Sequence, residues 1–178
     1  MRKLVVTEFV SLDGVIENPG WTFKYWNDEI ANFKAEESLA SDALLLGRVT
    51  YEGFAAVWPT STDQGAEYFN GVRKYVMSKS LKQADWNNSV ILSGDLVEEI
   101  NKLKQLEGND IIVHGSGKLV QSLIKQNLVD RIRLLVYPVV LGTGQRMFED
   151  GTTATLNLVS AKPFSSGVTG LIYESAQG

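Results

Sequence analysis

The chain contains a series of short apolar segments, and most of them are followed by a glycine or polar turn and then by residues with helical spacing. Residues 43–46 and 111–113 are the clearest cases, because both are wholly apolar. Strands that alternate with helices form a largely parallel sheet with helices on both faces. The sequence therefore predicts an α/β fold whose ligand site lies in the turns after the strands.

Several of the predicted strands end at turn residues. Pro138 lies within the longest apolar segment, and it requires a bulge or an edge position there because proline cannot donate to a strand ladder. Two final segments on either side of residues 165–167 predict an antiparallel hairpin at one edge of the sheet. The predicted strands are residues 3–10, 43–46, 74–77, 90–92, 111–113, 129–141, 155–162 and 168–175.

Helical spacing of apolar residues, together with capping residues, predicts the helices. Residues 60–71, which begin with a polar and glycine-rich stretch, predict a surface loop instead. The predicted N-caps are Asn27 or Asp28 for the first helix, Thr50 for a short helix toward Trp58, and Asp95 for a helix that Gly108 ends. A further helix follows the glycine turn of residues 115–117.

The chain has 178 residues and is 44% hydrophobic, so residues 1–178 are expected to form a single domain with a sizeable core. The formal net charge of −4 disfavours binding to nucleic acid, since such binding requires a clustered excess of lysine and arginine. No segment approaches the roughly 20 apolar residues of a membrane helix. We therefore expect a cytoplasmic protein that binds neither nucleic acid nor membrane.

The absence of cysteine excludes several kinds of chemistry. Disulfides, thiolate metal sites and a cysteine nucleophile are ruled out, and nothing indicates an oxidising compartment. His114 is the single histidine and has no clustered partner, so no metal site is expected. Its place after an apolar segment predicts a residue at a strand end.

The turn Gly115-Ser116-Gly117-Lys118 is a candidate anion site. It follows an apolar strand and opens a helix, where free backbone N–H groups and the helix dipole attract a phosphate. The glycines permit close approach of the backbone, Ser116 adds a hydroxyl donor and Lys118 adds a positive charge. The turn is not a Walker loop, and Val120 stands where a dinucleotide fingerprint has its third glycine. A tight turn that needs glycine for its geometry is the alternative interpretation.

Several motifs in order resemble those of one enzyme family. Residues 47–50, Gly-Arg-Val-Thr, resemble the Gly-Arg-x-Thr motif of dihydrofolate reductases and of the reductase domain in bifunctional riboflavin-biosynthesis proteins. Residues 9–14, 75–81 and 112–148 resemble further segments of the riboflavin reductase group. The resemblance covers nearly the whole chain and implies a dihydrofolate reductase-like fold, an NADPH cofactor and a homodimer.

The resemblance also implies roles for the turns that follow the strands. The fixed fork of an arginine suits a phosphate, although an isolated arginine more commonly forms a surface salt bridge. A hydroxyl beside a cation suits the adenosine 2′-phosphate and favours NADPH over NADH, although a solvated polar turn is the alternative. The implied cofactor residues are Gly47, Arg48, Val49 and Thr50 for the phosphates, Ser78 and Lys79 for the 2′-phosphate, Ser93 for the adenine, and the glycine turn.

Aromatic residues in the loops predict a site for a planar substrate. Trp21, Phe23, Trp26, Phe54 and Trp58 lie in loops or just after strand-to-helix turns. Flat aromatic walls suit a ring that is stacked near a nicotinamide. Packing in the core is the ordinary alternative for each large aromatic residue.

Two acidic positions are candidates for a catalytic role. Asp13 follows the first strand, where it would position substrate, relay a proton or form an ordinary Asp-Gly turn. Residues 29–34 resemble the dihydrofolate reductase segment whose acidic residue grips the pterin. Glu29 or Asp28 is therefore the second candidate, with helix capping as the alternative.

The resemblance implies an NADPH-dependent reductase that transfers hydride to a C=N or C=O group of a pterin-, pyrimidine- or ribosylaminouracil-like substrate. Two departures leave the substrate open, because residues 15–16 are apolar where riboflavin reductases usually have a basic residue, and Arg131 replaces an acidic one. No deaminase segment is attached, so a stand-alone member is expected. The alternatives are a non-catalytic nucleotide-binding module and a purely structural domain.

Overall fold

The computed structural model describes residues 1–176, and its strands form one eight-stranded sheet. The strands are β1 (Leu4–Ser11), β2 (Ser41–Gly47), β3 (Arg73–Met77), β4 (Ser89–Leu92), β5 (Asp110–Val113), β6 (Arg131–Tyr137), β7 (Leu156–Pro163) and β8 (Thr169–Ser175). Their order in the sheet is β4-β3-β2-β5-β1-β6-β8-β7. Strands β1 to β6 pair in parallel, whereas β8 is antiparallel to both β6 and β7. The predicted α/β fold with a C-terminal antiparallel hairpin is confirmed.

The helices are α1 (Asp28–Leu39), α2 (Arg48–Val57), α3 (Ala66–Gly71), α4 (Leu96–Gln105) and α5 (Gly117–Lys125), with 3₁₀ segments at Pro19–Tyr25 and Trp58–Thr60. Helices α4 and α5 bury Ile100 and Leu123 against one face of the sheet. On the opposite face, α2 and α3 pack on Leu44 and Val76, and α1 packs on Leu135. Within residues 1–176, none of the helices combines the length and the apolar character needed to cross a bilayer.

A buried polar network fixes α1 across β1 and β6. The Glu37 Oε1 atom accepts hydrogen bonds from the Thr7 hydroxyl at 2.8 Å and from Arg133 Nε at 3.1 Å. The Lys34 ammonium lies 2.5 Å from Glu37 Oε2 and also donates to Thr7. Each charged group of this network therefore has a partner, which is the condition for a charged group to be tolerated inside a protein.

The structure corrects the prediction for residues 60–71. Part of this segment forms α3 rather than a surface loop. A six-residue helix has too few turns to show an apolar period, and here contacts from distant residues hold it in place. Phe69 stacks on Trp58 with ring centroids 4.3 Å apart, and the Tyr68 hydroxyl lies 2.6 Å from Ser41 Oγ.

Helix α2 begins three residues earlier than predicted. Its N-cap is Gly47 and its first residue is Arg48, whereas the prediction placed the cap at Thr50. A glycine cap has no side chain to satisfy the first N–H groups, so a search for capping side chains passes over it. Strand β6 ends at Tyr137, immediately before Pro138, so the proline terminates the strand instead of interrupting it.

Candidate cofactor and substrate site

The carboxyl ends of β2 and β5 are in direct contact. The Gly47 N–H donates to the carbonyl oxygen of Gly115 at 2.9 Å. A Cβ atom on Gly47 would overlap the Ser116 hydroxyl and would lie 2.9 Å from the Ser116 backbone nitrogen. Gly115 has a φ of +113° and is joined to Ser116 by a cis peptide bond. Glycine is therefore required at position 47 by the close approach and favoured at position 115 by its backbone conformation.

This contact brings together the N-termini of α2 and α5, and neither terminus is capped. Their N-cap residues, Gly47 and Ser116, make no side-chain hydrogen bond to the helix, and neither first turn contains an acidic residue. In contrast, Asn27 caps α1 and Asp95 caps α4, and both of those first turns carry acidic residues. Free N–H groups and the positive ends of two helix dipoles make this point suitable for an anion.

The side chains in the first turn of α2 differ in their surroundings. Arg48 is exposed, and its Nη1 atom lies 2.9 Å and 3.1 Å from the two carboxylate oxygens of Glu52. The predicted phosphate ligand is thus already in a surface ion pair. Val49 is 62% exposed. The Thr50 hydroxyl points toward the glycine turn, because a Cβ atom on Gly115 would lie 3.0 Å from Thr50 Oγ1.

Lys118 is exposed in the first turn of α5, beside Gly117. The structure therefore brings the two predicted phosphate motifs, residues 47–50 and 115–118, together at the carboxyl ends of β2 and β5. Their binding of a cofactor phosphate stays a prediction.

The predicted 2′-phosphate and adenine residues follow β3 and β4. The Ser78 N–H donates to the Leu92 carbonyl oxygen at 2.9 Å, which joins the ends of the two strands. The Ser78 hydroxyl accepts hydrogen bonds from the N–H groups of Ser80 and Leu81, so its main visible role is to shape the turn. Lys79 and Ser93 are exposed, and Lys79 has no ion-pair partner among the described residues.

Asp13 is held by three hydrogen bonds. Its carboxylate accepts from the Ser11 hydroxyl at 2.6 Å and from the N–H groups of Leu141 and Gly142 at 3.1 Å and 2.8 Å. The Ser11 hydrogen bond and the two backbone donors lower the pKa of Asp13 to about 2. An ionised carboxylate that is already a triple acceptor organises a turn, and this geometry does not support the proton relay that was one of its predicted roles.

Glu29 joins α1 to the turn between β7 and β8. Its Oε2 atom accepts hydrogen bonds from the N–H and the hydroxyl of Ser165, and more weakly from Asn27 Nδ2 at 3.3 Å. The two Ser165 donors lower the pKa of the Glu29 carboxyl. The helix itself is capped by Asn27, and Asp28 is exposed. The predicted grip on a substrate ring would therefore require Glu29 to leave its partners in the turn.

The aromatic residues predicted to line the substrate site separate into two groups. Trp21 and Trp26 belong to the first, near the ends of β1 and β6. Trp21 lies edge-on to Tyr137 at 5.4 Å and packs against the core, whereas Trp26 lies 6.4 Å from Phe9 and is 49% exposed. Trp26 is thus the exposed member of this pair, and its contact with a substrate stays a prediction.

The second aromatic group lies between α2, α3 and the end of β5. Phe54 contacts Trp58 at 6.2 Å and the His114 ring at 5.8 Å, and Phe69 contacts His114 at 5.4 Å. Phe54 and Trp58 also pack against the buried core. Burial and the positive charge of Lys34 hold the pKa of His114 well below its usual range, so the imidazole is neutral. His114 is a strand-end residue, as predicted.

A further acidic residue, Glu8, lies beside the glycine turn. A Cβ atom on Gly115 would lie 3.8 Å from Glu8 Oε1 and 3.0 Å from Thr50 Oγ1, so both side chains approach the same residue. Burial raises the pKa of Glu8 to about 8, and the positive charge of Lys34 opposes this rise in part. A carboxyl group with this pKa is largely protonated at neutral pH.

One comparison decides the family. Residues 2–169 match the family model described as the RibD C-terminal domain. The chain belongs to this family. The uncharacterized protein YyaP of Bacillus subtilis (strain 168) is 30% identical to it over 97% of this chain and 94% of that protein.

Comparison with solved structures confirms the predicted dihydrofolate reductase-like fold of the chain. A putative riboflavin biosynthesis protein from Shewanella sp. PV-4 is similar with a TM-score of 0.81, at 20% identity, over 98% of this chain and 99% of that one. Dihydrofolate reductase from Enterococcus faecalis, in a complex with NADP(H), is similar with a TM-score of 0.67, at 16% identity, over 98% and 97%. At these identities, the two structures show the fold that the chain shares with them.

Sequence reasoning missed Glu8 in this RibD C-terminal domain. The available signal was a charged residue in the interior of a mainly apolar predicted strand, residues 3–10. The structure also locates the two departures from the riboflavin reductase pattern, at residues 15–16 and at Arg131. Val15 and Ile16 are buried in the core, and Arg131 begins β6 and pairs with Glu174 at 2.7 Å, at the edge of the sheet opposite the glycine turn. Arg131 therefore does not contribute to this site.

Among the described residues, no group of three or more histidine, aspartate or glutamate side chains is arranged to hold a metal ion.

Proposed function

We propose that this protein is an NADPH-dependent reductase that transfers hydride to a C=N or C=O group of a small pterin-, pyrimidine- or ribosylaminouracil-like compound. The observation that carries the proposal is the meeting of two uncapped helix N-termini at Gly47 and Ser116. A pyrophosphate placed there would accept hydrogen bonds from both helices and would interact favourably with both dipoles. The similarity to a dihydrofolate reductase complexed with NADP(H) supports the same assignment.

The order of the strands supports one orientation of a bound cofactor. Strand β3 follows β2 in the sheet and β4 follows β3, so Lys79 and Ser93 lie on one side of the phosphate site. Lys79 is exposed and unpaired within the described chain, and its charge is available to an adenosine 2′-phosphate. The adenosine end would then lie over β3 and β4, and the nicotinamide end would extend the other way, toward β5 and β1.

Aromatic side chains surround the position proposed for the nicotinamide end. Trp26 and Phe9 lie at the end of β1, and Phe54 and His114 lie at the end of β5. When bound, NADPH supplies the hydride, so the protein needs no nucleophile and must instead align two rings and exclude water. Rings on both sides of the position proposed for the nicotinamide suit a flat substrate.

Calorimetric titration of the protein with NADPH and with NADH tests the proposal. We expect tighter binding of NADPH, and we expect Lys79→Gln to weaken NADPH about tenfold, the factor that corresponds to roughly 1.4 kcal/mol, with little effect on NADH. Lys125→Gln is the control, because it removes the same charge from the C-terminal end of α5. Equal losses for both nucleotides would remove the 2′-phosphate assignment, and no binding of either would overturn the proposed function.

Arg48 and Glu52 provide a second, paired test. Arg48→Ala is expected to weaken both nucleotides, because the arginine lies at the α2 N-terminus. Glu52→Gln is expected to leave binding unchanged or to strengthen it, because it releases Arg48 from its ion pair. If Arg48 served only that surface pair, neither change would alter nucleotide affinity. Binding without oxidation of NADPH across a panel of pterins, pyrimidines and ribosylaminouracils would favour a non-catalytic nucleotide-binding module.

The edge strand β7 supports the homodimer that the family resemblance implies. Leu158 and Val159 on this strand are 57% and 53% exposed. Exposed apolar residues on an unpaired edge strand favour pairing with another chain. Sedimentation equilibrium is expected to give a dimer, and replacing both residues by lysine is expected to shift the protein toward the monomer.

A further inference from the structure

The Glu8 carboxyl group occupies a central position in the candidate site. It lies on β1, directly beside the end of β5, and its Oε1 atom is 3.8 Å from the position that a Cβ atom on Gly115 would occupy. The same position is 3.0 Å from the Thr50 hydroxyl, in the first turn of α2. Glu8 is therefore adjacent to the point where α2 and α5 meet, on the side of that point that faces away from β3 and β4.

Glu8 lacks the partners that the other acidic candidates have. Among the described residues, its carboxyl group makes no hydrogen bond and no ion pair. Asp13 accepts three hydrogen bonds, and Glu29 is bound by two groups of Ser165. A partly buried polar group without partners costs folding free energy. An unpartnered carboxyl group at this place is therefore explained if it contacts a bound ligand.

Other polar groups beside Glu8 are also unpartnered. Within residues 1–176, neither the Thr50 hydroxyl nor the His114 imidazole has a hydrogen-bond partner. The Glu8 carboxyl group and the Thr50 hydroxyl both approach Gly115, just after β5, whereas the His114 ring packs against Phe54 and Phe69. Glu8 and Thr50 together offer one carboxyl group and one hydroxyl to a bound molecule.

We propose that Glu8 is the acid that supplies the proton accompanying hydride transfer, an inference that rests on the proposed function. The hydride from NADPH forms a C–H bond at the substrate carbon, and the π electron pair of the C=N or C=O bond moves to the nitrogen or oxygen. That atom takes the proton from the Glu8 carboxyl group, which becomes a carboxylate. The products are NADP⁺ and the reduced substrate, and Glu8 regains its proton from water.

The charges around Glu8 suit this cycle. Burial raises the pKa of Glu8 to about 8, so the carboxyl group carries its proton at neutral pH. The positive charge of Lys34 on α1 opposes this rise, and His114 at the end of β5 is neutral. Arg48 in the first turn of α2 is paired with Glu52, and Lys118 in the first turn of α5 is exposed. The positive ring of NADP⁺ would favour the carboxylate, whereas the neutral ring of NADPH would not.

Proton release on nucleotide binding tests this proposal without knowledge of the substrate. Calorimetry at pH 7.5 in two buffers with different ionisation enthalpies gives the number of protons released per NADP⁺ and per NADPH. The phosphates are common to both nucleotides, so the difference between them reports on the nicotinamide end. We expect NADP⁺ to release roughly half a proton more than NADPH, because a nearby positive charge lowers a carboxyl pKa by about 1 to 3.

Variants test whether the released proton comes from the Glu8 carboxyl group. Glu8→Gln is expected to abolish the difference between NADP⁺ and NADPH, and Glu8→Asp, which keeps a carboxyl group, is expected to restore part of it. Glu98→Gln is the matched control, since Glu98 is exposed on α4, and it is expected to behave as the unmodified protein does.

The outcomes separate the two proposals. If both nucleotides bind but release equal numbers of protons, or if Glu8→Gln retains the difference, the role of Glu8 is wrong and the cofactor assignment stands. If neither nucleotide binds, both proposals are wrong.

Discussion

At the scale of single residues, Gly47 allows a sharp test of the contact between β2 and the glycine turn. Alanine at this position would place its Cβ against the Ser116 hydroxyl and 2.9 Å from the Ser116 backbone nitrogen, so the backbone would have to move. We expect Gly47→Ala to lower the free energy of unfolding by about 1–3 kcal/mol and to weaken NADPH at least tenfold. Urea denaturation and calorimetric titration measure the two effects.

Gly53 is the matched control for this substitution. It lies within α2, and a Cβ atom there would meet no other atom within 4 Å. Because glycine is unfavourable in a helix, Gly53→Ala is expected to raise the free energy of unfolding by about 0.5–1 kcal/mol and to leave NADPH affinity unchanged. Equal behaviour of the two variants would contradict the close approach at Gly47.

Asp13 gives a prediction about pH at the same scale. Its folded-state pKa of about 2 lies below the usual 3.8, so its contribution to stability is present above pH 4 and is lost as the pH falls toward 2. We expect Asp13→Asn to be less stable than the unmodified protein at pH 7, with the difference shrinking between pH 4 and pH 2. Thermal unfolding across this range measures it. Asp63→Asn, in an exposed loop, is the control, and a pH-independent difference at Asp13 would contradict the assignment.

At the scale of elements, the attachment of α1 depends on Glu37. This buried carboxylate pairs with Lys34 and Arg133, and its removal would leave both cations without their main partner. We expect Glu37→Ala to lower the free energy of unfolding by about 3 kcal/mol. The neighbouring Glu36→Ala removes an exposed side chain with one contact to Arg133, at 3.3 Å, and is expected to cost less than about 1 kcal/mol. Similar losses in urea denaturation would contradict this account.

The elements also show which parts of the fold the sequence could predict. Strands such as β5 were predictable because an apolar segment bounded by turns is a local signal. Helix α3 was not, because stacking of Phe69 on Trp58 and the contact of Tyr68 with Ser41 hold it, and both partners lie outside the helix. Tertiary contacts of this kind override weak local propensity.

The candidate site also combines features that the sequence could predict with features that it could not. The turns at residues 47–50 and 115–118 were predictable, since each motif is continuous in the sequence. The surroundings of Asp13 and Glu29 were not predictable. Their hydrogen-bond donors, Gly142 and Ser165, are more than 120 positions away in the chain, so only the folded structure reveals them. Glu8 was missed for the same reason, because its significance comes from its approach to Gly115, in the turn after the neighbouring strand β5.

At the scale of the whole molecule, cofactor binding is expected to stabilise the fold. A ligand that binds only the folded state raises the free energy of unfolding by about 2.7 kcal/mol when its concentration is 100 times its Kd. NADPH is therefore expected to raise the melting temperature more than NADH at equal concentration, and Gly47→Ala is expected to remove about half of the rise or more. Differential scanning fluorimetry measures this. Equal shifts for the two nucleotides would contradict recognition of the 2′-phosphate.

The central claim is that the N-termini of α2 and α5 together bind the cofactor pyrophosphate, and a crystal structure of the protein with NADPH tests it most directly. We predict pyrophosphate oxygens about 2.7–3.2 Å from backbone N–H groups of both first turns, with the nicotinamide ring on the side of β1, next to Glu8. A cofactor bound elsewhere, or a site that stays empty at saturating NADPH, would contradict the account.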